Sequence, residues 1–226
     1  MPMNTEKKIE FVSFDFDGTI VEENSWTLFN TACGVTPQED KQYYDAYHDG
    51  KITYDQWIEA IVLIWKQRIA ITPELGAKLG LQFTLRAGVL ETIAWLKEHA
   101  YKVVIVTGGV DIVIRPFLES HGIIDMIFTT ECVFEKGVFK ELIHHSKNEN
   151  VQDASMFKLD VFRSFLRMEH IDPSVCMHVG DGSNDIGIFD IVAKPVFFGI
   201  GNSLNLSGYP EISHMKEIQK LVIQSD

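Results

Sequence analysis

The chain is short of cysteine, of positive charge and of any long apolar run. Its three cysteines, Cys33, Cys132 and Cys176, are scattered and odd in number. That argues against a disulfide framework and a paired-cysteine metal site, and leaves three small buried hydrophobes as the expectation. Lysine and arginine number 20 against 32 aspartates and glutamates, a net charge of −12. So acidic a chain repels phosphate backbones, which argues against nucleic acid as a partner. An anionic small substrate then requires local cations, a metal or a placed lysine. No stretch approaches the length of a membrane span, and residues 1–10 are polar, without the apolar stretch of a secretion signal. The expectation is a cytoplasmic protein with no membrane partner. Repeats and low-complexity tracts are also lacking.

What is present is an ordinary globular composition. Of 226 residues, 46 % are apolar and 23 % charged, enough to bury the core of one domain or of one domain with an insert. Residues 10–16 (EFVSFDF), 101–107 (YKVVIVT) and 174–179 (SVCMHV) are short β-prone runs, each closed by acidic residues or glycine. Residues 193–200 and 126–130 read as two more strands. Helical patterns over 87–99, 110–121, 157–169 and 184–192 alternate with them. Such alternation predicts a doubly wound parallel α/β sheet, whose ligands bind beyond the carboxyl ends of the strands. Two regions depart from it. Residues 22–86 read as helical throughout, with aromatics such as Trp26, Tyr44, Trp57 and Trp65, and are taken as a helical cap inserted between core segments 1–21 and 87–226. Residues 131–141 (ECVFEKGVFKE) read as a small hairpin turning at Lys136-Gly137.

Four strand ends or helix starts carry chemistry. Asp15 and Asp17 stand two apart at the end of the first strand, where an extended backbone points them to one side. Two crowded carboxylates call for a cation or a shared proton. A hard cation such as Mg²⁺ takes oxygen ligands and keeps positions open for phosphate. Gly18 permits a sharp exit. A lone Asp-Gly-Thr would be an ordinary turn, but Thr107-Gly108-Gly109 ends the second strand with a hydroxyl and free N–H groups suited to phosphate. Gly180-Asp181-Gly182-Ser183-Asn184-Asp185 ends the third with further carboxylates, and Lys158 lies in the helix before it.

In this order the four segments resemble the motifs of haloacid dehalogenase-like phosphatases, over residues 11–199. The helical insert and the hairpin further resemble the phosphoserine phosphatase branch. The resemblance implies a Mg²⁺-dependent phosphomonoesterase acting on a small phosphorylated metabolite. Asp15 takes the place of a nucleophile that forms an aspartyl-phosphate. Asp17 matches the acid that protonates the leaving alkoxide and later activates water. Asp15, Asp17 (through its carbonyl) and Asp181 match the metal ligands. Thr107, Gly108, Gly109, Lys158 and Asn184 match phosphate and substrate contacts. Thr19 is expected to support Asp17, and Asp185 to orient Lys158 or the metal's waters. Among the lysines between the second and fourth motifs, Lys158 is preferred over Lys136, Lys140 and Lys147 because its helix leads into the last motif strand.

The chain departs from that branch where the branch recognises an amino acid. Asn24 stands where its glutamate is expected, with Glu22 and Glu23 adjacent, and Glu59 stands near the place of its cap arginine. Arg68 is a substitute only at a distance in sequence. A substrate carboxylate buried without a cation is expensive. The substrate expected is therefore an alcohol, sugar or amine phosphate, with phosphoserine itself as the alternative. A phosphomutase, or a phosphate-binding protein without turnover, also remains open.

Overall fold

The computed structural model of the chain describes residues 9–146, 154–199 and 208–223. Its main sheet has six parallel strands in the order β3-β2-β1-β6-β7-β8. These are β1 (Phe11–Phe14), β2 (Lys102–Thr107), β3 (Met126–Phe128), β6 (Cys176–Gly180), β7 (Lys194–Phe198) and β8 (Glu211–Ile212). The central strands β1, β2 and β6 are buried almost throughout, as a parallel sheet covered on both faces requires.

Alternate residues divide between two cores. Val12, Phe14, Val103, Ile105, Met177 and Val179 belong with side chains of α5 (Val89–Glu98), α6 (Asp111–Ser120) and α9 (Glu217–Ile223). Phe11, Val104, Val106 and Cys176 belong with those of α7 (Ala154–Met168) and α8 (Ile186–Phe189). That two-sided division is the doubly wound arrangement. The order in which strands are added reverses about β1, with β2 on one side and β6 on the other, which opens a crevice at their carboxyl ends.

Between β1 and α5 come four helices and no strand: α1 (Ser25–Ala32), α2 (Pro37–His48), α3 (Tyr54–Arg68) and α4 (Pro73–Gly80). Their starts are written in the sequence. Thr36 with Glu39 and Thr53 with Gln56 form reciprocal capping boxes, and Thr72 caps α4 ahead of Pro73. The last of them, α4, lies on the core helix α6. A Cβ on Gly76 would come within 2.3 Å of the Ile112 carbonyl oxygen, so only glycine allows that approach. The hairpin β4 (Thr130–Glu135) and β5 (Val138–His144) turns on Lys136 and Gly137, both at positive φ (52° and 78°).

Three expectations shift. The first strand stops at Phe14; the Asp15 N–H still continues the ladder by donating to the Val179 carbonyl at 2.8 Å, and Asp17 lies in the turn beyond. In place of one helix over 184–192 there is a 3₁₀ turn, Ser183–Asp185, and the short α8, because the Asp185 carboxylate folds back onto the Gly182 N–H at 3.1 Å. β8 is an added edge strand too short to leave a periodic signal. Lys147 and the end of the strand expected over 193–200 lie outside the described residues. No helix among the described residues is long and apolar enough to cross a membrane.

Candidate active site

The carboxyl ends of β1, β2 and β6 meet at a cavity of about 580 Å³ lined by Asp15, Asp17, Gly108, Gly109, Lys158, Asp181 and Asn184. Segments far apart in sequence thus share one wall. Thr107, Thr19 and Asp185 are buried behind it.

Lys158 is the hub. It is 1 % exposed, and its ammonium lies 2.7 Å from Asp15 Oδ1 and 2.5 Å from Asp185 Oδ1. Burial works against its charge, but the two carboxylates more than offset that and hold its pKa above the ordinary lysine value. A fixed cation therefore stands beside Asp15. Burial raises the Asp15 pKa, and Asp185 and Asp181 add to the rise while Lys158 opposes it. Asp185 differs. Burial pushes it up, yet Lys158 and His178 more than compensate and hold it at about 2. It accepts from Lys158, from His178 Nε2 at 2.9 Å and from the Gly182 N–H.

His178 carries no signal as a site residue in the sequence, being the middle of an apolar strand. It sits opposite Ser13 in the β1–β6 ladder, with Ser13 Oγ 2.8 Å from its Nδ1. A carboxylate only accepts, so Nε2 carries the proton toward Asp185. Burial lowers the imidazole pKa and keeps it neutral, which leaves Nδ1 to accept from the Ser13 hydroxyl. A buried polar line, Ser13–His178–Asp185–Lys158–Asp15, thus runs through the α7-side core to the cavity.

Asp17 is held by Ser25, not by Thr19. The Ser25 N–H donates to one carboxylate oxygen at 2.8 Å and its hydroxyl to the other at 2.7 Å. Burial raises Asp17 to about 6 against those two hydrogen bonds. The Thr19 hydroxyl is buried with no hydrogen-bond partner, so the expectation that it supports Asp17 is corrected. Ser25 opens the first helix of the insert, and nothing in its local sequence marks it.

Glycines set the close approaches. Gly18 has φ +74°, and a Cβ there would fall 2.2 Å from Asp181 Oδ2, so the turn after Asp17 rests directly on the Asp181 carboxylate. At Gly109 a Cβ would meet Ser25 Oγ at 2.3 Å and Asp17 Oδ2 at 2.9 Å. The Gly109 N–H is itself engaged, donating to Thr107 Oγ1 at 2.9 Å. Thr107 thus stiffens the turn from behind, leaving Gly108 and Gly109 to face the cavity.

Asp15, Asp181 and Asp185 can bring one oxygen each within 4.8 Å of one another. An oxygen-only set fits a hard divalent cation. Asp185 is already engaged by three donors. Asp181 is raised to about 6 by burial and then by Asp185, which marks a carboxylate that a cation would relieve. The residues present therefore fit Mg²⁺, with Asp15 and Asp181 as the side chains better placed to hold it.

The specificity candidates separate. Asn24 lines the cavity, but its carboxamide oxygen caps α1 by accepting from the Thr27 N–H at 2.9 Å. Glu59 is exposed and does not line the cavity. Arg68 pairs with Glu39 at 2.6 Å and donates to the Gly34 carbonyl, tying α3 to α2 away from the cavity. Of the specificity residues that the sequence left open, neither Glu59 nor Arg68 lines the cavity. Both lie on faces of α3 turned from the core.

The chain belongs to the haloacid dehalogenase-like hydrolase family, whose family model matches residues 12–190. Among individual proteins it is similar to the phosphoserine phosphatase of Methanocaldococcus jannaschii, 28 % identical over 193 residues that cover 85 % of this chain and 87 % of that one. It is 25 % identical to the 2-hydroxy-3-keto-5-methylthiopentenyl-1-phosphate phosphatase of Lysinibacillus sphaericus, over 76 % of this chain and 74 % of that protein. The solved structure of a substrate-bound phosphoserine phosphatase complex shares the fold with a TM-score of 0.72 at 24 % identity, covering 96 % of this chain and 99 % of that one.

Proposed function

We propose that this phosphoric monoester hydrolase cleaves a small phosphorylated metabolite by way of an aspartyl-phosphate on Asp15, with Mg²⁺ as cofactor. The observation that carries the reading is the Asp15–Lys158 pair, 2.7 Å apart at the wall of a cavity that Asp17 also lines. A carboxylate attacks a phosphate dianion only where that charge is neutralised, and Lys158 is a permanent cation at the point of attack. The Asp15 oxygen bonds to phosphorus as the phosphorus–alkoxide bond breaks. The Asp17 carboxyl, at about 6, can hold a proton near neutral pH and give it to the departing alkoxide. It then takes a proton from the water that hydrolyses the aspartyl-phosphate, releasing inorganic phosphate and restoring Asp15.

Asp15, Asp181 and the Asp17 carbonyl would hold Mg²⁺, which when bound supplies further neutralisation of the phosphate. Gly108, Gly109 and Asn184 are assigned to phosphate and substrate contacts; Thr107, expected as a phosphate contact, is buried behind the wall and braces the loop instead. Asp185 acts through Lys158, which it orients.

The test is phosphate release from a panel of phosphate monoesters with Mg²⁺ and with chelator, together with mass spectrometry of acid-quenched reactions. Release that chelator abolishes, with a phosphate adduct on the peptide carrying Asp15, is expected. Release that proceeds fully in chelator, or an adduct elsewhere, overturns the mechanism. The names of the curated relatives favour a second reading, phosphoserine as substrate. No arginine lines the cavity among the described residues, which favours an ester without a carboxylate.

A further inference from the structure

The part of the cavity wall supplied by α2 and α3 is acidic and aromatic. It carries Asp40, Tyr44, Tyr54 and Trp57. Trp57 stands perpendicular to Tyr54, with centroids 6.0 Å apart at 90°, and nearly so to Tyr44, at 5.8 Å and 82°. These right-angle contacts make a corner, backed by the stacking of Trp57 on Tyr47 and of Tyr44 on His48. Such corners suit an ammonium group, which is attracted to the negative faces of aromatic rings.

Asp40 is aimed by a buried relay. Trp65 Nε1 donates to Asn30 Oδ1 at 2.8 Å, which leaves the Asn30 NH₂ to donate to Asp40 Oδ1 at 3.2 Å. Trp65 and Asn30 are both buried. Burial raises the Asp40 pKa against that one hydrogen bond, and no ion pair to Asp40 is formed among the described residues. Asp40 also lies in the first turn of α2, where the helix N-terminus favours an acid. That placement accounts for a surface carboxylate, but not for a buried tryptophan–asparagine relay that fixes it at the cavity wall. Lys158 is the one cation lining the cavity among the described residues, and it is committed to Asp15 and Asp185.

We infer that this wall selects a cationic alcohol: the substrate is a phosphate monoester whose alcohol part carries an amino or alkylammonium group and no carboxylate. The inference rests on the hydrolase reading above and names its substrate class. The phosphate goes to Lys158 and the metal site. The ammonium goes to the Tyr44–Tyr54–Trp57 corner with Asp40 as its counter-charge. An amino-acid phosphate would turn its carboxylate toward Asp40 with no cation to meet it, an uncompensated desolvation.

The test compares kcat/KM of the full chain with Mg²⁺ on phosphocholine, phosphoethanolamine, glycerol phosphate, phosphoserine and p-nitrophenyl phosphate. The two cationic esters are expected to exceed glycerol phosphate and phosphoserine by about tenfold or more. Asp40→Asn, which keeps the side-chain shape, is expected to lower the ratio of cationic to neutral ester by about tenfold. Tyr44→Leu, at a half-exposed position that threatens folding little, is expected to raise KM for phosphocholine more than for glycerol phosphate. A preference for phosphoserine or glycerol phosphate overturns the inference while leaving the hydrolase reading intact. So does an Asp40→Asn loss equal across all esters. No release from any ester, p-nitrophenyl phosphate included, overturns both.

Discussion

The two ends of the cavity are built on opposite plans. At the end made by β1, β2 and β6, charged groups answer one another: Asp15 and Asp185 share Lys158, and His178 and Gly182 satisfy Asp185. At the end made by the inserted helices, the wall is mostly rings, and its carboxylate Asp40 meets a neutral asparagine rather than a cation. A closed charge network is rigid and fixes one chemistry. A wall of rings with an uncompensated acid leaves part of its complement to the ligand. Under the proposed function, the first region would serve the reaction and the second the choice of substrate, since a fold can keep one site while the residues around it differ.

The comparison is broken most decisively at Asp15. Asp15→Asn is expected to lower phosphate release by about 10³-fold or more, since a carboxamide is a poor nucleophile. Circular dichroism should show the fold retained. Release within tenfold of the parent would mean that the charged end does not contain the nucleophile.

His178→Ala tests whether the network acts as a unit. It strips Asp185 of one buried donor and leaves Ser13 without its ring partner, at a cost of about 1–3 kcal/mol in stability. A fall in kcat of roughly tenfold is expected beside that loss, because Asp185, one of the two carboxylates that hold Lys158, loses one of its own buried donors. A chemical-denaturation midpoint equal to the parent's would show that the buried line is not structural.

Glu59→Ala sharpens the contrast from the other end. Glu59 is exposed and outside the cavity wall, so the order of preference among phosphate esters should stay the same. A changed order would return Glu59 to the substrate.

The smallest effect concerns how the insert is tied together. Arg68 and Thr36 hold the Glu39 carboxyl at about 2, below its ordinary 4.5. A carboxyl whose pKa is depressed in the fold stabilises it above its unfolded value, and that contribution is lost as pH falls from 4.5 toward 2. Thermal melts of the parent and of Glu39→Gln should therefore differ above pH 4.5 and converge toward pH 2. A constant difference across that window would mean the pair does not carry the effect.

Much of this was legible in the residues themselves. Apolar runs ending in Asp15, Thr107 and Gly180 announced strands, and their order announced a parallel sheet, because strand periodicity and glycine-marked ends are local properties of the chain. The starts of α2, α3 and α4 were equally local, fixed by threonine caps and following prolines, glutamate or glutamine. The motif order led to the haloacid dehalogenase-like resemblance, and the family match over residues 12–190 agrees with it.

Other features were decided only when distant segments met. Ser25 reaches Asp17 because α1 docks over the β1 turn, and Thr19, the nearer hydroxyl in sequence, points elsewhere. His178 looks like one polar interruption in an apolar strand until the ladder sets it beside Ser13 and a turn brings Asp185 onto it. Glu59 and Arg68 looked like specificity residues by position along the chain, yet the rotation of α3 turns both away and puts Trp57 on the wall. By itself the sequence pointed to the groups proposed for the chemistry, since Asp15, Gly108 and Asp181 follow strands whose direction the backbone dictates and Lys158 lies in the helix that leads into the last of them. Tertiary structure decided which side chains line the cavity, because the docking and rotation of the helices between β1 and α5 depend on contacts that no local pattern records.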